Sequence, residues 1–445
     1  MSNRVRVFVR HVTYNLRGGF LVRPLLIALT LGATGATFSA LEEAVPLLGA
    51  WVPTVLFPSH ADAQVAQVIL VCIAGSMMTV VSIVFAILLM TLTLASNQFS
   101  PRIIVNFARD RVTQQTLGIF LGTFTYCVAA LPAARTVPEP FSPVATVLGA
   151  MLLALACVAW LLFFIHHISQ AISVSYIVDT IARETEAVID QIMPQPIRRS
   201  RMPESDLPSS TSREAPVLSG MSGYIRFVDG VRLIFLAKEY RIALRVLRRV
   251  GHFVPVGVPL LTISKGERLT EEMEANLREA FDLGPTRTLE QDVEFGILQI
   301  VDIALKAISP AVNDPSTAIN CVDQLSRILI RFASREPMST LFYDPPGVLR
   351  VHIPWLDFDR LIGSAFEQIR LYARTDVAVN LRLLRALTDI ASTTTIPEYH
   401  WALAAQGRRV FTGCASSLDE DQTAELRLRL TALENLTAPS LPLQL

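Results

Sequence analysis

The chain has 445 residues, an apolar fraction of 51%, a mean hydropathy of +0.43 and a formal net charge of zero. That hydropathy exceeds the range of soluble domains, and the charge balance argues against nucleic-acid binding by bulk attraction. The five cysteines, Cys72, Cys127, Cys157, Cys321 and Cys414, form no CxxC pair, which argues against a disulfide framework or a zinc ribbon.

The apolar excess is concentrated in residues 24–168. Residues 1–23 carry Arg4, Arg6, Arg10, Arg17 and Arg23 and no acid. Pro24 to Leu41 is 18 uncharged residues, long enough to cross a hydrocarbon core of about 30 Å, and no A-x-A site follows it, so the span is expected to be retained. The next segment is broken by Pro46, Pro53 and Pro58 and suits an interfacial or re-entrant position, with Trp51 at headgroup level. Val65–Ala95 contributes 31 uncharged residues, Thr116–Ala134 a third span, and 143–165 a fourth that ends in His166-His167.

Arg102, Arg109 and Arg111 join the N-terminal arginines on one side, against Arg135 on the other. The positive-inside rule then predicts that both termini are cytoplasmic. No ionisable residue falls mid-span, which weakens a proton-pump reading. Ser76, Thr79 and Thr123 are the candidate pore-lining residues. The simpler reading of such hydroxyls is back-bonding to their own helix. Gly118 and Gly122 are spaced for close helix packing. His166 and His167 are weak metal candidates, because adjacent histidines point about 100° apart on a helix.

Residues 169–193 continue a helical pattern, with Ile172, Tyr176, Ile177, Ile181 and Val188 on one stripe, and read as a stalk from the fourth span. Residues 194–218, rich in Pro, Ser and charge, read as a linker. Residues 219–265 read as a small β unit, with strands around Tyr224–Phe227, Ile242–Leu247 and Phe253–Ile263. The run Gly251 to Leu260 resembles the turn and strand of barrel-sandwich domains of the biotinyl or lipoyl type. No lysine lies between Gly251 and Ile263, so a cofactor carrier is disfavoured and no cofactor is expected.

Residues 266–445 read as a mostly helical domain. Leu289–Ile308 is an amphipathic helix with Asp302 and Lys306 as an i,i+4 pair; Ser309-Pro310 ends it. Asp314 is the expected N-cap of the next helix, with Pro315 at its first position and Ala318, Val322, Leu325 and Leu329 on one face. Asp292, Gln299, Asp302, Asn313 and Asp314 form the candidate ligand or cation site, weighed against ordinary capping and turn chemistry. Helices are further expected over 357–373, 376–391, 397–411 and 417–436, after a strand at 348–353.

The stretches LASNQFSPRIIVNFARDRVTQQTLGIFLGTFTYC, FIHHIS and RTLEQDVEFGILQIVDIALKAISPAVNDPSTA resemble a family of bacterial integral-membrane proteins catalogued only as a domain of unknown function. The resemblance runs over roughly residues 15–430. It implies a bacterial membrane location and supplies no reaction or catalytic residue.

The expected architecture is therefore membrane α-helical, with four transmembrane helices followed by a cytoplasmic α+β domain. No phosphate-binding loop, dinucleotide fingerprint, HExxH or GxSxG occurs, so no enzyme is expected. Four spans rarely enclose a pathway alone, which favours a homo-oligomeric ion or solute channel or transport protein regulated by its cytoplasmic domain. The competing reading is a membrane-anchored sensor or scaffold for a cytoplasmic protein or small ligand, with a lipid-modifying enzyme last. Membrane lipids are expected partners, and nucleic acid is not.

Overall fold

A computed structural model describes residues 22–45, 52, 62–98, 110–137, 140–171, 173–193, 214–344 and 348–438. Arg4, Arg6, Arg10, Arg17, Trp51, Pro46, Pro53, Pro58, Arg102, Arg109 and residues 194–213 of the expected linker lie outside the described residues. The chain divides at Ser173 and Val174 into two compact units.

The first unit holds α1 (Val22–Ala44), α2 (Ala63–Gln98), α3 (Arg111–Ala130) and α4 (Val144–Ala171). All four are long and apolar enough to cross a membrane. The α1 and α3 helices approach closely because glycines face each other's helix at the contact. A Cβ at Gly35 would stand 2.6 Å from the Tyr126 carbonyl oxygen, and one at Gly118 would stand 2.7 Å from Ile27. The Thr125 hydroxyl crosses the same contact, donating to the Ala28 carbonyl at 2.7 Å. Such small-residue crossings are what drives helix association where no hydrophobic difference with lipid exists. The α2 and α4 helices close on α3 through Leu70, Val84, Phe120 and Phe164, all fully buried, and the Trp160 indole donates to the Thr116 hydroxyl at 2.9 Å.

The second unit opens with α5 (Val174–Ile192), which packs on α8 (Val293–Ala307) and α9 (Pro315–Ala333). Its apolar stripe is spent there: Ile177, Val178, Ile181, Val188 and Ile189 are buried, while Tyr176 is exposed. Burying each large aliphatic side chain contributes about 1.5–3 kcal/mol. The ion pairs alongside, Arg327 with Asp179 and Glu186 and Arg331 with Asp190, are half-exposed and worth about 0.2–1 kcal/mol each. Apolar burial therefore docks α5 and the arginine ladder fixes its register. The expected stalk is an integral helix of the second unit, beginning after α4 has ended at Ala171.

The β unit is larger than its sequence outline. Strand β1 (Ala215–Leu218) claims four residues of the expected linker. It joins β5 (Pro259–Ile263), β3 (Leu244–Val246), β8 (Val348–His352) and β7 (Leu341–Asp344) in a sheet of order β1-β5-β3-β8-β7, in which only β3 and β8 run parallel. Strand β2 (Gly223–Val228) lies between β4 (Phe253–Val254) and β6 (Phe281–Gly284) in a second sheet. The strand expected over Phe253–Ile263 is split by a turn at Gly257, where φ is +80°. Both sheets share one core with α6 (Gly230–Glu239), through Val217, Ile225, Leu244, Leu261, Leu233 and Leu236. The α6 segment, taken as strand-like from sequence, is helical: Asp229 caps it by accepting from the Arg232 amide, and Leu233, Leu236 and Ala237 make one buried face. A short α7 (Glu271–Arg278), capped by Thr270, precedes β6.

The remaining helices, α10 (Phe358–Tyr372), α11 (Val377–Thr393), α12 (Pro397–Cys414) and α13 (Glu420–Thr437), match the expected tail. Asp376 caps α11, and Asp419 with Gln422 forms a capping box on α13.

Candidate functional site

The hinge expected between α8 and α9 is built from turn chemistry. Asn313 adopts φ +50°, and Asp314 caps α9 by accepting from the Thr317 amide at 3.1 Å and the Thr317 hydroxyl at 2.6 Å. The Thr317 hydroxyl and amide hold the Asp314 carboxyl below its ordinary range. Asp292 stands at the opposite end of α8, where it caps the helix by accepting from the Phe295 amide. The 15 residues of α8 span about 22 Å, so Asp292 does not meet Asn313 and Asp314. Gln299 is buried at mid-helix, and Asp302 lies toward the C-terminal end. The five candidates do not assemble into one site. Among the described residues no group of three His, Cys, Asp or Glu side chains is placed to hold a metal ion.

The candidate pore residues also divide. The Ser76 and Thr79 hydroxyls donate to the Cys72 and Gly75 carbonyls on an exposed face of α2. Thr123 points inward, donating to the Ile119 carbonyl and lying 3.2 Å from the Cys157 sulfur. His167 Nε2 sits 3.1 Å from Asp110 Oδ2, whereas His166 Nε2 sits 3.2 Å from Gln170 Nε2, so the two rings have different partners.

What the second unit does assemble is a buried charge cluster at the start of α8. Glu294 accepts from Arg249 Nη2 at 2.9 Å, Arg287 Nη2 at 3.2 Å and the Ser364 hydroxyl at 3.0 Å. Arg287 also grips both Asp292 oxygens, at 2.7 and 2.8 Å. Arg249 comes from the loop between β3 and β4, Arg287 from the loop after β6 and Ser364 from α10, so the cluster pins the β unit to the helical layer. Burial pushes the Glu294 carboxyl up, but Arg249, Arg287 and Ser364 outweigh it and leave the group below the usual carboxylate range. Burial, then Arg249 and Arg360, depress His252 and favour its neutral ring. Gly251, at φ +87°, is required here, since a Cβ would run into the Asp292 carboxylate. Two mostly buried arginines, with the exposed Arg360 3.6 Å from Glu294, against two carboxylates make a brace rather than a reactive centre.

The first unit holds a different buried carboxylate. Glu42, 2% exposed near the end of α1, accepts from the Ala145 amide at 2.7 Å, the Thr146 amide at 2.9 Å and the Thr146 hydroxyl at 2.7 Å. It caps α4 across more than 100 residues of sequence. The Tyr126 hydroxyl donates to the Thr146 carbonyl at 3.2 Å, and Arg135 pairs with the neighbouring Glu43.

The model of a family described as predicted membrane protein, DUF2254, matches residues 17–389. This chain belongs to that family. An uncharacterised protein of Mycobacterium bovis and one of Mycobacterium tuberculosis are each 33% identical over 351 residues, covering 77% of this chain and 66% of theirs. The chain thus matches just under two thirds of the length of those relatives. No solved structure matches.

In this DUF2254 chain the sequence pointed to α8 but not to the partners of its first turn. Asp292, expected near the hinge that follows α8, instead caps its start, and Arg249 and Arg287 are two among many arginines scattered through the sequence. The unit ArgThrLeuGluGlnAspValGlu at 287–294 carries the one local signal, an arginine five residues before a cap. The uncharged run ends at Leu41, one residue before Glu42, whereas α1 continues to Ala44.

Proposed function

We propose that this protein is a homo-oligomeric ion or solute channel or transport protein of the bacterial inner membrane. Both termini are cytoplasmic, the second unit regulates permeation, and the role is not enzymatic. The observation that carries this reading is one face of α2. Cys72, Gly75, Ser76, Thr79 and Ser82 follow one another along it, all exposed, and the space beside Gly75 is open within 4 Å. Small and hydroxyl side chains in that arrangement favour close approach of another helix, or a polar passage between helices. The interior of the unit is filled by large side chains such as Phe120 and Phe164, so the passage is assigned between copies of the chain. The arginine bias at the ends of the spans supports the orientation. The test is reconstitution of the purified full chain in liposomes. Ion or solute flux from an oligomer supports the reading; a monomer without flux removes it.

One observation favours the alternative, a membrane-anchored sensor or scaffold. Val231 and Phe235, one turn apart on α6, are 81% and 62% exposed. A stoichiometric partner captured by the full chain, lost in Phe235→Asp, would support that reading over transport.

A further inference from the structure

The turns at one end of the β unit carry an exposed apolar tip. Leu218 and Met221 belong to the end of β1 and its connection to β2, and Phe253 and Val256 to β4 and the turn after it; all four are exposed. Hydrogen bonds join the two segments. The Ser219 amide donates to the Val258 carbonyl and the Gly257 amide to the Ser219 carbonyl, both at 2.9 Å, and the Val256 amide donates to the Ser222 hydroxyl at 2.9 Å. Tyr224 meets Phe253 edge-on, with ring centroids 5.2 Å apart. The Ser219 hydroxyl donates to the Met221 carbonyl at 2.6 Å, and Arg278 Nε to the Leu218 carbonyl at 2.7 Å. These backbone groups have partners other than water, which lowers the cost of bringing the tip against a medium without water.

Charge and covalent connection both point to a lipid surface as the occupant. Residues 215–228 and 243–266, which contain β1 to β5, have no Asp or Glu and carry Arg226, Arg245, Arg248, Arg249 and Lys265. Arg226 is paired with Asp282 and Arg249 with Glu294, whereas Arg245 and Arg248 are exposed. Glu274 of α7 is paired with Arg278, the residue bonded to Leu218. Apolar side chains on segments with an excess of positive charge are the combination that binds an anionic bilayer. The chain also holds a bilayer within reach: α4, long and apolar enough to cross a membrane, ends at Ala171, and α5 of the second unit begins at Val174, with only Ile172 and Ser173 between them. So short a tether makes docking an intramolecular event, for which weak insertion suffices.

We propose that this tip docks on a lipid surface. Leu218, Met221, Phe253 and Val256 enter the boundary between headgroups and acyl chains, and the positive charge of these segments favours anionic headgroups. The docking is separate from permeation, and liposome flux can be present or absent whether or not the tip docks.

The experiment uses the full chain in nanodiscs of phosphatidylcholine and phosphatidylglycerol. Cys72→Ser removes the exposed cysteine, and Met221→Cys or Val256→Cys then carries an environment-sensitive fluorophore; Ser392→Cys, exposed on α11, is the reference. Labels at 221 and 256 are expected to shift their emission to the blue, to be quenched by nitroxide-bearing lipid and to lose quenching by aqueous iodide, while the label at 392 stays open to iodide. Adding Phe253→Asp is expected to return the label at 221 to iodide. Iodide quenching at 221 and 256 as strong as at 392 overturns the proposal. So does protection from iodide without quenching by nitroxide lipid, which would show a second copy or another part of this chain on the tip. Should the labelled variants fail to fold, a lipid-borne diazirine photolysed with the unaltered chain reads the same contact: attachment within 218–222 and 253–258 is expected, and none there overturns the proposal.

Discussion

Glu42 and Glu294 are both buried carboxylates, and the two units satisfy them by different chemistry. Glu294 is held by mostly buried guanidinium groups from two loops, a serine hydroxyl and, at 3.6 Å, the more exposed Arg360, whereas Glu42 is held by backbone amides and a threonine hydroxyl. The first arrangement cross-links elements far apart in sequence and leaves charges stranded if it is broken. The second joins two helices at a place where the backbone itself supplies the positive potential. A charge-paired brace is the outcome in one unit and a cap on a helix start in the other.

That contrast can be broken most severely at Glu294. Glu294→Ala leaves Arg249 buried and loosens Arg287, and a loss of about 3–5 kcal/mol is expected in the unfolding of the second unit, measured by thermal or denaturant melts of the full chain. A loss below about 1 kcal/mol would show that the cluster is not a brace. The same residue carries a pH dependence. Its native pKa is lowered, so its contribution is present above the ordinary carboxylate range and is lost as pH falls through the lower native value. A matching reduction in the acid slope of stability is expected in Glu294→Gln.

Helix contact in the first unit gives the next largest effect. Gly35→Ala places a Cβ against the Tyr126 backbone, which cannot rotate away, and about 1–3 kcal/mol of destabilisation is expected. Gly118→Ala meets the end of the Ile27 side chain at 2.7 Å, with Ile27 Cβ and the Pro24 backbone at 3.0 and 3.1 Å, and is expected to cost less because its closest contact can rotate, so comparing the melting points of the two variants sharpens which helix face is fixed. The smallest effect belongs to the arginine ladder. Arg331→Gln is expected to change stability by at most about 1 kcal/mol, with the difference from the unaltered chain shrinking as salt is raised. A large, salt-independent loss would mean that the ladder, and not Ile177, Ile181 and Ile189, docks α5.

Local periodicity made much of this fold legible. The four spans, the α8–α9 hairpin with Asp314 and Pro315 at its second start, and the four tail helices all follow from apolar spacing and cap residues close in sequence. The misread parts depended on distant partners. The β3–β8 pairing joins strands about 100 residues apart, and no spacing rule reports it. The α6 helix was hidden because Val231, Ile234 and Phe235 suit strands as well as helices, and only the Asp229 cap and the Leu233, Leu236, Ala237 face decide between them. The candidate site failed for a similar reason: Asp292 and Asp314 were grouped by their position in the sequence, but a helix keeps them a full length apart. Glu42 was overlooked because a carboxylate at a span end reads as solvated until the helix it caps is known.

The α2 face remains the feature on which the functional account turns, and Cys72 is a native probe of it. Cys72 is exposed on that face, while Cys127, Cys157, Cys321 and Cys414 are buried. Oxidation of membranes containing the full chain with copper-phenanthroline should yield a covalent dimer that Cys72→Ser abolishes and Ser76→Trp weakens. A chain that remains monomeric under oxidation, while Cys72 still reacts with a membrane-permeant maleimide, would contradict the assignment of this face to contact between copies.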